Sequence, residues 1–248
     1  MGESLWHARQ HMRMPEFDAV VFDYGNTLIT FEYPREELLA LMNGFRESIG
    51  QASRRPAPTA QELMDNVLLP LERQLGTFGE EEVVYVDIYR QAWHRAGLQL
   101  PDDLLLEMLD AEQRVWDRKI TIIDGAIDTL ARLKSRGLKL GLCSNASFPA
   151  DMMRRQVEAN GVAGLMDAIV FSSAIGKRKP SPVIYAAILT ELGVDAQRTL
   201  FVGDRVREDY EGPIANGMSA VICTAHTQAP VPAEVRTISS LHEIEGLL

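Results

Sequence analysis

Cysteine is scarce in this sequence. The 248 residues contain two, Cys143 and Cys223, and each lies in an apolar, strand-like run. Two cysteines cannot complete a four-ligand zinc site, and no histidine spacing supplies the other ligands. We therefore expect two buried thiols in a reducing compartment, the cytoplasm, and no disulfide framework.

Long apolar runs and an excess of positive charge are missing as well. No run reaches the ~20 residues of a membrane-spanning helix, so we expect no membrane partner. The N-terminus lacks the apolar stretch of a secretory signal, and residues 1–16 are interpreted as a leader. The net charge of −10 argues against a nucleic-acid partner, because phosphate backbones select basic surfaces.

Five short apolar runs predict β-strands. They are residues 19–23, 139–144, 168–173, 199–204 and 220–223. Each is apolar on both faces, as parallel strands covered by helices should be.

Helices with clear start and stop signals separate these strands. Ser181 and Pro182 predict the start of one helix and Gly193 its end, while Asp124 and Gly137 are expected to bound another. The alternation of strand and helix predicts an α/β fold with a Rossmann-like, doubly wound parallel sheet.

Residues 34–117 interrupt this alternation. Four segments there have helical periodicity: residues 34–49, 60–75, 83–97 and 103–120. Aromatic residues recur at helical spacing within them and are expected to pack in their interior: Tyr85, Tyr89, Trp93 and Trp116. We predict a core of residues 17–33 and 118–248, and an inserted helical domain that overhangs the ligand crevice at the strand ends.

Polar side chains follow four of the predicted elements. They are Asp23 with Thr27, Ser144 with Asn145, Lys179, and Asp204 with Asp209. The carboxyl ends of parallel strands meet at one edge, so these groups should share a crevice. A carboxylate nucleophile, an ammonium, hydroxyl donors and acids able to hold Mg²⁺ suit phosphoryl transfer.

Four segments together resemble motifs one to four of the haloacid dehalogenase superfamily. In chain order they are FDYGNTL, LCSNAS, GKRKPSPVIY and FVGDRVREDYEGPIANGM. The resemblance covers residues 17–33 and roughly 118–225, and residues 34–117 look like the C1 cap of that superfamily.

The resemblance implies roles for individual residues. Asp23 matches the nucleophile, and Lys179 the lysine that steadies the nucleophile and the phosphate. Ser144 matches the phosphate-binding hydroxyl, with Asn145, Asn26 and Thr27 as further substrate-binding positions. Asp23, the Gly25 carbonyl and Asp204 are expected to hold Mg²⁺, supported by Asp209. The implied substrate is a small phosphorylated metabolite, and the implied assembly a monomer or a homodimer.

Gly25 departs from the pattern. The usual first motif is Asp-x-Asp, and its second Asp protonates the leaving group and then activates water. Acid–base help of this kind is worth typically ~10²–10⁴-fold in rate. Its absence leaves two alternatives open: a metal-independent 2-haloacid dehalogenase, and a non-catalytic protein that binds phosphate or a metabolite.

The retained acids favour a phosphatase over the metal-independent dehalogenase. Dehalogenases of the metal-independent kind place Tyr two residues after the nucleophile, whereas Tyr24 follows Asp23 directly. A metal-free enzyme would not need Asp204 and Asp209. We therefore expect a Mg²⁺-dependent phosphatase.

Overall fold

The computed structural model describes residues 17–75 and 79–248, so the predicted leader lies outside the described residues. The strands are β1 (Ala19–Phe22), β2 (Ile29–Phe31), β3 (Ile120–Ile122), β4 (Lys139–Ser144), β5 (Ala168–Phe171), β6 (Thr199–Gly203), β7 (Ser219–Cys223) and β8 (Thr237–Ile238).

Ten α-helices are seen in these described ranges. They are α1 (Arg35–Ser53), α2 (Ala60–Leu63), α3 (Leu69–Leu75), α4 (Tyr85–Arg95), α5 (Asp102–Asp117), α6 (Ala126–Ser135), α7 (Ala150–Ala159), α8 (Ser172–Ile175), α9 (Pro182–Leu192) and α10 (Gly212–Ala215). A π-helical turn, Met64–Leu68, joins α2 to α3, and a second, Val206–Glu211, precedes α10. No helix among the described residues is long and apolar enough to cross a bilayer.

Six strands form one parallel sheet in the order β5-β4-β1-β6-β7-β8. The five predicted strands are confirmed, and β1 lies between β4 and β6 with all four of its residues buried. Helices α6 and α7 pack on one face of the sheet and α9 on the other. This burial of both faces explains why the strands are apolar throughout.

The helix signals are confirmed for α9 and partly wrong for α6. Ser181 is the N-cap of α9, Pro182 its first residue, and Gly193 ends it in the left-handed conformation. At the start of α6 the chain needs a left-handed residue, and Gly125 occupies the N-cap position with φ +73°. Asp124, the residue predicted there, is not the cap, and no side chain caps this helix.

Helices α1 to α5 have a hydrophobic core of their own, which includes Leu38, Met42, Trp93 and Met108. The four helical segments predicted from periodicity are thereby confirmed. The last ends at Asp117 and not at Ile120, because Ile120 pairs with Phe31 in an antiparallel ribbon of β2 and β3. The division at residues 34 and 117 into core and cap remains our interpretation.

Candidate active site

The carboxyl ends of three adjacent strands bring the predicted groups together. Asp23 follows β1, Ser144 ends β4 and Asp204 follows β6. The side chains of Asp23 and Ser144 line a cavity of about 550 Å³, together with Lys179 and Asp209. On the other side this cavity is lined by residues of α3, α4 and α5.

Lys179 forms ion pairs with two of the acids at this site. It is buried, and its Nζ donates to Asp23 Oδ1 at 2.7 Å and to Asp209 Oδ1 at 2.7 Å. Burial alone would lower the pKa of Lys179, but the carboxylates of Asp209 and Asp23 outweigh it and raise the pKa above its ordinary value. The ammonium is therefore a fixed positive charge beside Asp23.

Asn145 holds the backbone that carries this lysine. Its Oδ1 accepts from the Lys179 N–H at 2.7 Å, and its Nδ2 donates to the Lys179 carbonyl at 3.1 Å. The peptide bond between Lys179 and Pro180 is cis. Both ends of the Asn145 amide are used in positioning Lys179, although the residue also lines the cavity.

Three acids lie close together. Oxygen atoms of Asp23, Asp204 and Asp209 are within 4.8 Å of one another. Burial, followed by the nearby charges of Asp23 and Asp209, raises the pKa of Asp204 to about 7. Neither carboxylate oxygen of Asp204 has a hydrogen-bond partner among the described residues.

Asp209 is bound differently from Asp204. Its Oδ2 accepts from the backbone N–H groups of Asp204 at 3.1 Å and Arg205 at 3.0 Å, and its Oδ1 accepts from Lys179. A Cβ on Gly203 would come within 2.3 Å of the Asp209 side chain, so only glycine fits there. Asp209 therefore orders the loop after β6 and leaves the Asp204 carboxylate free.

This donor set fits a hard divalent cation. Mg²⁺ prefers carboxylate and carbonyl oxygens, and the unpartnered oxygens of Asp204 are of that kind. Three acids against one lysine leave an excess of negative charge in a buried place, which a cation would offset. Asp23 and Asp204 would hold the ion.

Gly25 and its neighbours form the turn after Asp23. Gly25 has no positive φ, and a Cβ built on it would meet only Phe31 Cε1, at 3.7 Å. Asn26 adopts the left-handed conformation with φ +57° and lines the cavity beside Gly25. Thr27 is fully buried and is not among the lining residues, and its hydroxyl has no partner among the described residues.

Sequence reasoning missed the cavity wall contributed by the helical region. Tyr85 and Trp116, expected in the interior of that region, line the cavity together with Glu112 and Gln113 of α5. The available signal was a pair of polar residues on a helix face that is otherwise apolar. Tyr89 and Trp93 are buried in the helical core, as expected.

Residues 80–82, between α3 and α4, contact the loop that carries Lys179. Glu82 accepts from Arg178 Nη1 at 3.1 Å and from Ser147 Oγ at 3.0 Å, and its side chain is 1 % exposed. The backbone N–H of Glu82 donates to Gly176 O at 3.0 Å, and the N–H of Arg178 donates to Glu80 O at 2.8 Å. Residues 80–82 thus pair with residues 176–178.

Curated relatives match part of this chain. It is 32% identical over 131 residues to pyrimidine 5'-nucleotidase YjjG of Escherichia coli, covering 52% of this chain and 57% of that protein. It is 31% identical over 111 residues to phosphoglycolate phosphatase of Rhodospirillum rubrum, covering 45% of each. The chain thus spans about half the length of these relatives.

Solved structures share the fold over almost the whole chain. A HAD phosphatase from Thermococcus onnurineus superimposes with a TM-score of 0.63 at 20% identity, covering 93% of this chain and 97% of that one. A 2-haloacid dehalogenase from Pseudomonas syringae gives 0.68 at 18% identity, with the same coverage. The model of the haloacid dehalogenase-like hydrolases matches residues 17–217. The chain belongs to this hydrolase family.

Proposed function

We propose that this protein is a Mg²⁺-dependent phosphomonoesterase that works through an aspartyl-phosphate on Asp23. The observation that carries the proposal is the Asp23 carboxylate, held by Lys179 beside the unpartnered oxygens of Asp204. Two curated relatives, a nucleotidase and a phosphoglycolate phosphatase, release phosphate from small molecules by their names. The substrate proposed here is likewise a small phosphorylated compound.

The proposed reaction has two displacements at phosphorus. An Asp23 oxygen attacks the phosphorus, the bond to the substrate oxygen breaks, and that oxygen takes a proton from solvent water to leave as an alcohol. Water then attacks the phosphorus, the bond to Asp23 breaks, and inorganic phosphate leaves with the carboxylate restored. Bound Mg²⁺ would offset the negative charge of the phosphate and of Asp23.

The chain's own residues do the positioning. Lys179 keeps its proton, fixes Asp23 through Oδ1 and leaves the other Asp23 oxygen for the attack. Ser144, which lines the cavity, is proposed to donate to a phosphate oxygen. The helical region is proposed as the cap that covers the substrate, and the two free, buried thiols agree with a cytoplasmic location.

The test is phosphate release from p-nitrophenyl phosphate and from a panel of phosphorylated metabolites, with Mg²⁺ and with EDTA. The nitrophenyl ester has a good leaving group and needs little help from an acid. Asp23→Asn should abolish turnover while the circular dichroism spectrum stays unchanged. The matched control is Asp128→Asn on the exposed face of α6, which should retain full activity.

Two other outcomes would replace this proposal. Chloride release from 2-haloacids in EDTA would identify a dehalogenase. Phosphate binding in titration calorimetry, with no turnover of any substrate, would identify a non-catalytic binding protein. Equal activity of Asp23→Asn and the unaltered protein would exclude Asp23 as the nucleophile.

A further inference from the structure

The cavity extends well beyond the acids and Lys179. Its far wall belongs to the helical region and contributes Glu72, Tyr85, Glu112, Gln113 and Trp116. A phosphate bound near Asp23 would leave this wall facing the alcohol part of the substrate. The chemistry of the wall therefore bears on which alcohol is accepted.

Glu112 is a buried acid with an unused oxygen. The residue is 2% exposed, lines the cavity, and its Oε2 has no hydrogen-bond partner among the described residues. Burial raises the pKa of Glu112, and the nearby Tyr89 hydroxyl acts in the opposite direction. The Tyr89 hydroxyl itself has no hydrogen-bond partner among the described residues. A buried acceptor without a donor is costly, and a ligand that donates removes the cost.

Gln113, the next residue of α5, also has a buried oxygen without a hydrogen-bond partner among the described residues. The residue is 2% exposed and lines the same cavity. Its Nε2 donates to Asp117 Oδ1 at 2.8 Å, which fixes the orientation of the amide because a carboxylate accepts only from the nitrogen. The remaining oxygen, Oε1, is buried and without a partner among the described residues. Two neighbouring residues of α5, both lining the cavity, thus have a buried oxygen without a hydrogen-bond partner among the described residues.

Charge is distributed unevenly over the cavity. Its cationic lining residues, Arg178, Lys179 and Arg205, all come from the loops of the sheet. Of the described residues that the helical region contributes, the charged ones are Glu72 and Glu112, and no Lys or Arg is among them. An anionic group fits the end at Lys179, and a second anion at the far wall would find no Lys or Arg of the described helical residues to pair with.

Aromatic rings complete the wall. The Tyr85 and Phe148 rings stack with centroids 4.4 Å apart, and Trp116 meets the Phe31 ring edge to face at 6.1 Å. All four residues line the cavity. Such faces pack against carbon skeletons.

We propose that Glu112 and Gln113 bind hydrogen-bond-donating groups of the substrate. The enzyme then acts on phosphate monoesters of alcohols that carry hydroxyl or amino groups and no second anionic group. This inference rests on the proposed phosphatase function, and it adds the substrate class.

The experiment compares matched sets of esters. One set is 2-hydroxyethyl phosphate, phosphoethanolamine and phosphoglycolate; the other is glucose 6-phosphate, glucosamine 6-phosphate and 6-phosphogluconate. In the first set the members differ in bearing a hydroxyl, an ammonium or a carboxylate; in the second set all members carry hydroxyls, and glucosamine 6-phosphate adds an ammonium and the open-chain 6-phosphogluconate a carboxylate. Each ester is measured as a substrate, by kcat/KM, and as a competitor of p-nitrophenyl phosphate hydrolysis.

The hydroxyl or ammonium member should be preferred over the carboxylate member by about tenfold, the worth of one hydrogen bond. Glu112→Leu should remove most of this preference through a change in KM or in the competition constant. Glu107→Leu, on the exposed side of α5, should leave it intact. Glu112→Gln, which keeps an acceptor oxygen, should retain the preference for the hydroxyl member.

Failure of this inference differs from failure of the proposed function. If p-nitrophenyl phosphate is not hydrolysed, the phosphatase proposal fails. If it is hydrolysed but the carboxylate members bind best, or no member competes, or Glu112→Leu changes no ratio, the substrate class is wrong while the phosphatase stands.

Discussion

Gly25 leaves a space where an acid could stand. Its backbone has no positive φ and the nearest atom to an added Cβ is an aromatic carbon at ordinary contact distance. Sterics therefore do not require glycine at this position, and its cavity-facing site is open to a longer side chain. The missing acid is a chemical feature of this enzyme and not a consequence of crowding.

Gly25→Asp should accelerate hydrolysis of an unactivated ester such as glucose 6-phosphate, by up to about 10²–10⁴-fold. The rate with p-nitrophenyl phosphate should change little, because its leaving group needs no proton. Gly25→Asn is the matched control, of equal size and without an acid. An equal rate for both variants on the unactivated ester would mean that another group already supplies the proton.

Glu112 makes the stability of the fold depend on pH. Burial, followed by the charge of Glu72, raises the pKa of Glu112 to about 8 from an ordinary 4.5. Between these values the folded protein holds a proton that the unfolded chain releases, so stability falls as the pH rises. The other titratable groups near it are the hydroxyls of Tyr85 and Tyr89, whose pKa values are raised by burial and then by Glu112.

Glu112→Gln should therefore be more stable than the unaltered protein at pH 9, by roughly 2–4 kcal/mol, and nearly equal to it at pH 5. Chemical unfolding at the two pH values measures the difference. Glu107→Gln, exposed on the same helix, should show no such dependence. A constant offset for Glu112→Gln at both pH values would contradict the argument.

The pairing of residues 80–82 with residues 176–178 is a second contact, beside that of Asn145, that positions Lys179 from outside its own loop. Glu82 provides the buried acid of this contact, whereas the adjacent Glu81 pairs with Lys177 in solvent, its side chain 79% exposed. A buried ion pair that loses one partner leaves an uncompensated charge, here that of Arg178.

Glu82→Gln should lower the free energy of unfolding by about 3 kcal/mol and reduce kcat, because the loop of Lys179 loosens. Glu81→Gln should cost less than about 1 kcal/mol, since exposed pairs contribute little. Denaturant unfolding and steady-state kinetics on the same preparations measure both effects. If both variants lose the same free energy of unfolding and the same kcat, the buried pair of Glu82 contributes no more than the exposed pair of Glu81.

The elements that could be predicted are those with a local sequence pattern, such as an apolar run or a helix start and stop signal. The strands at 19–22 and 199–203 are apolar on both faces, and α9 has both its start and its stop signal. The ribbon of β2 and β3, the short β8 and the pairing of residues 80–82 were missed, because two or three residues make no pattern and their partners lie far along the chain.

The same distinction holds for the site. Asp23, Ser144 and Asp204 could be predicted to meet because each ends a strand of one sheet. Glu112 and Gln113 could not, because their place on the cavity wall depends on how the helices pack over the sheet. That Asn145 holds Lys179 through both amide atoms depends on two loops whose contact no local signal records.

Charge couples the acid cluster to the stability of the whole molecule. Asp23, Asp204 and Asp209 repel one another in a buried place, and Lys179 offsets only part of that repulsion. A cation that binds the folded state alone stabilises it by mass action, about 2.7 kcal/mol at a hundred times the Kd.

Mg²⁺ should therefore raise the melting temperature of the unaltered protein in a saturable way. Asp204→Asn should melt at a similar or higher temperature without Mg²⁺, because it removes a repelled charge, and should lose the Mg²⁺-dependent rise. Differential scanning calorimetry with and without Mg²⁺ measures this, and Asp128→Asn should behave like the unaltered protein. A full rise in Asp204→Asn would exclude that acid as a ligand.

The ribbon of β2 and β3 has a consequence for how such a protein can change over evolutionary time. Phe31 and Ile120 are paired across it, so the helical region leaves and re-enters the sheet-bearing part at neighbouring points. A hairpin loop of about 2–5 residues could join those points and leave the parallel sheet as it is. We infer that the helical region could be exchanged as one unit, with a change in the accepted alcohol, provided that the replacement keeps a contact like that of residues 80–82 with the loop of Lys179.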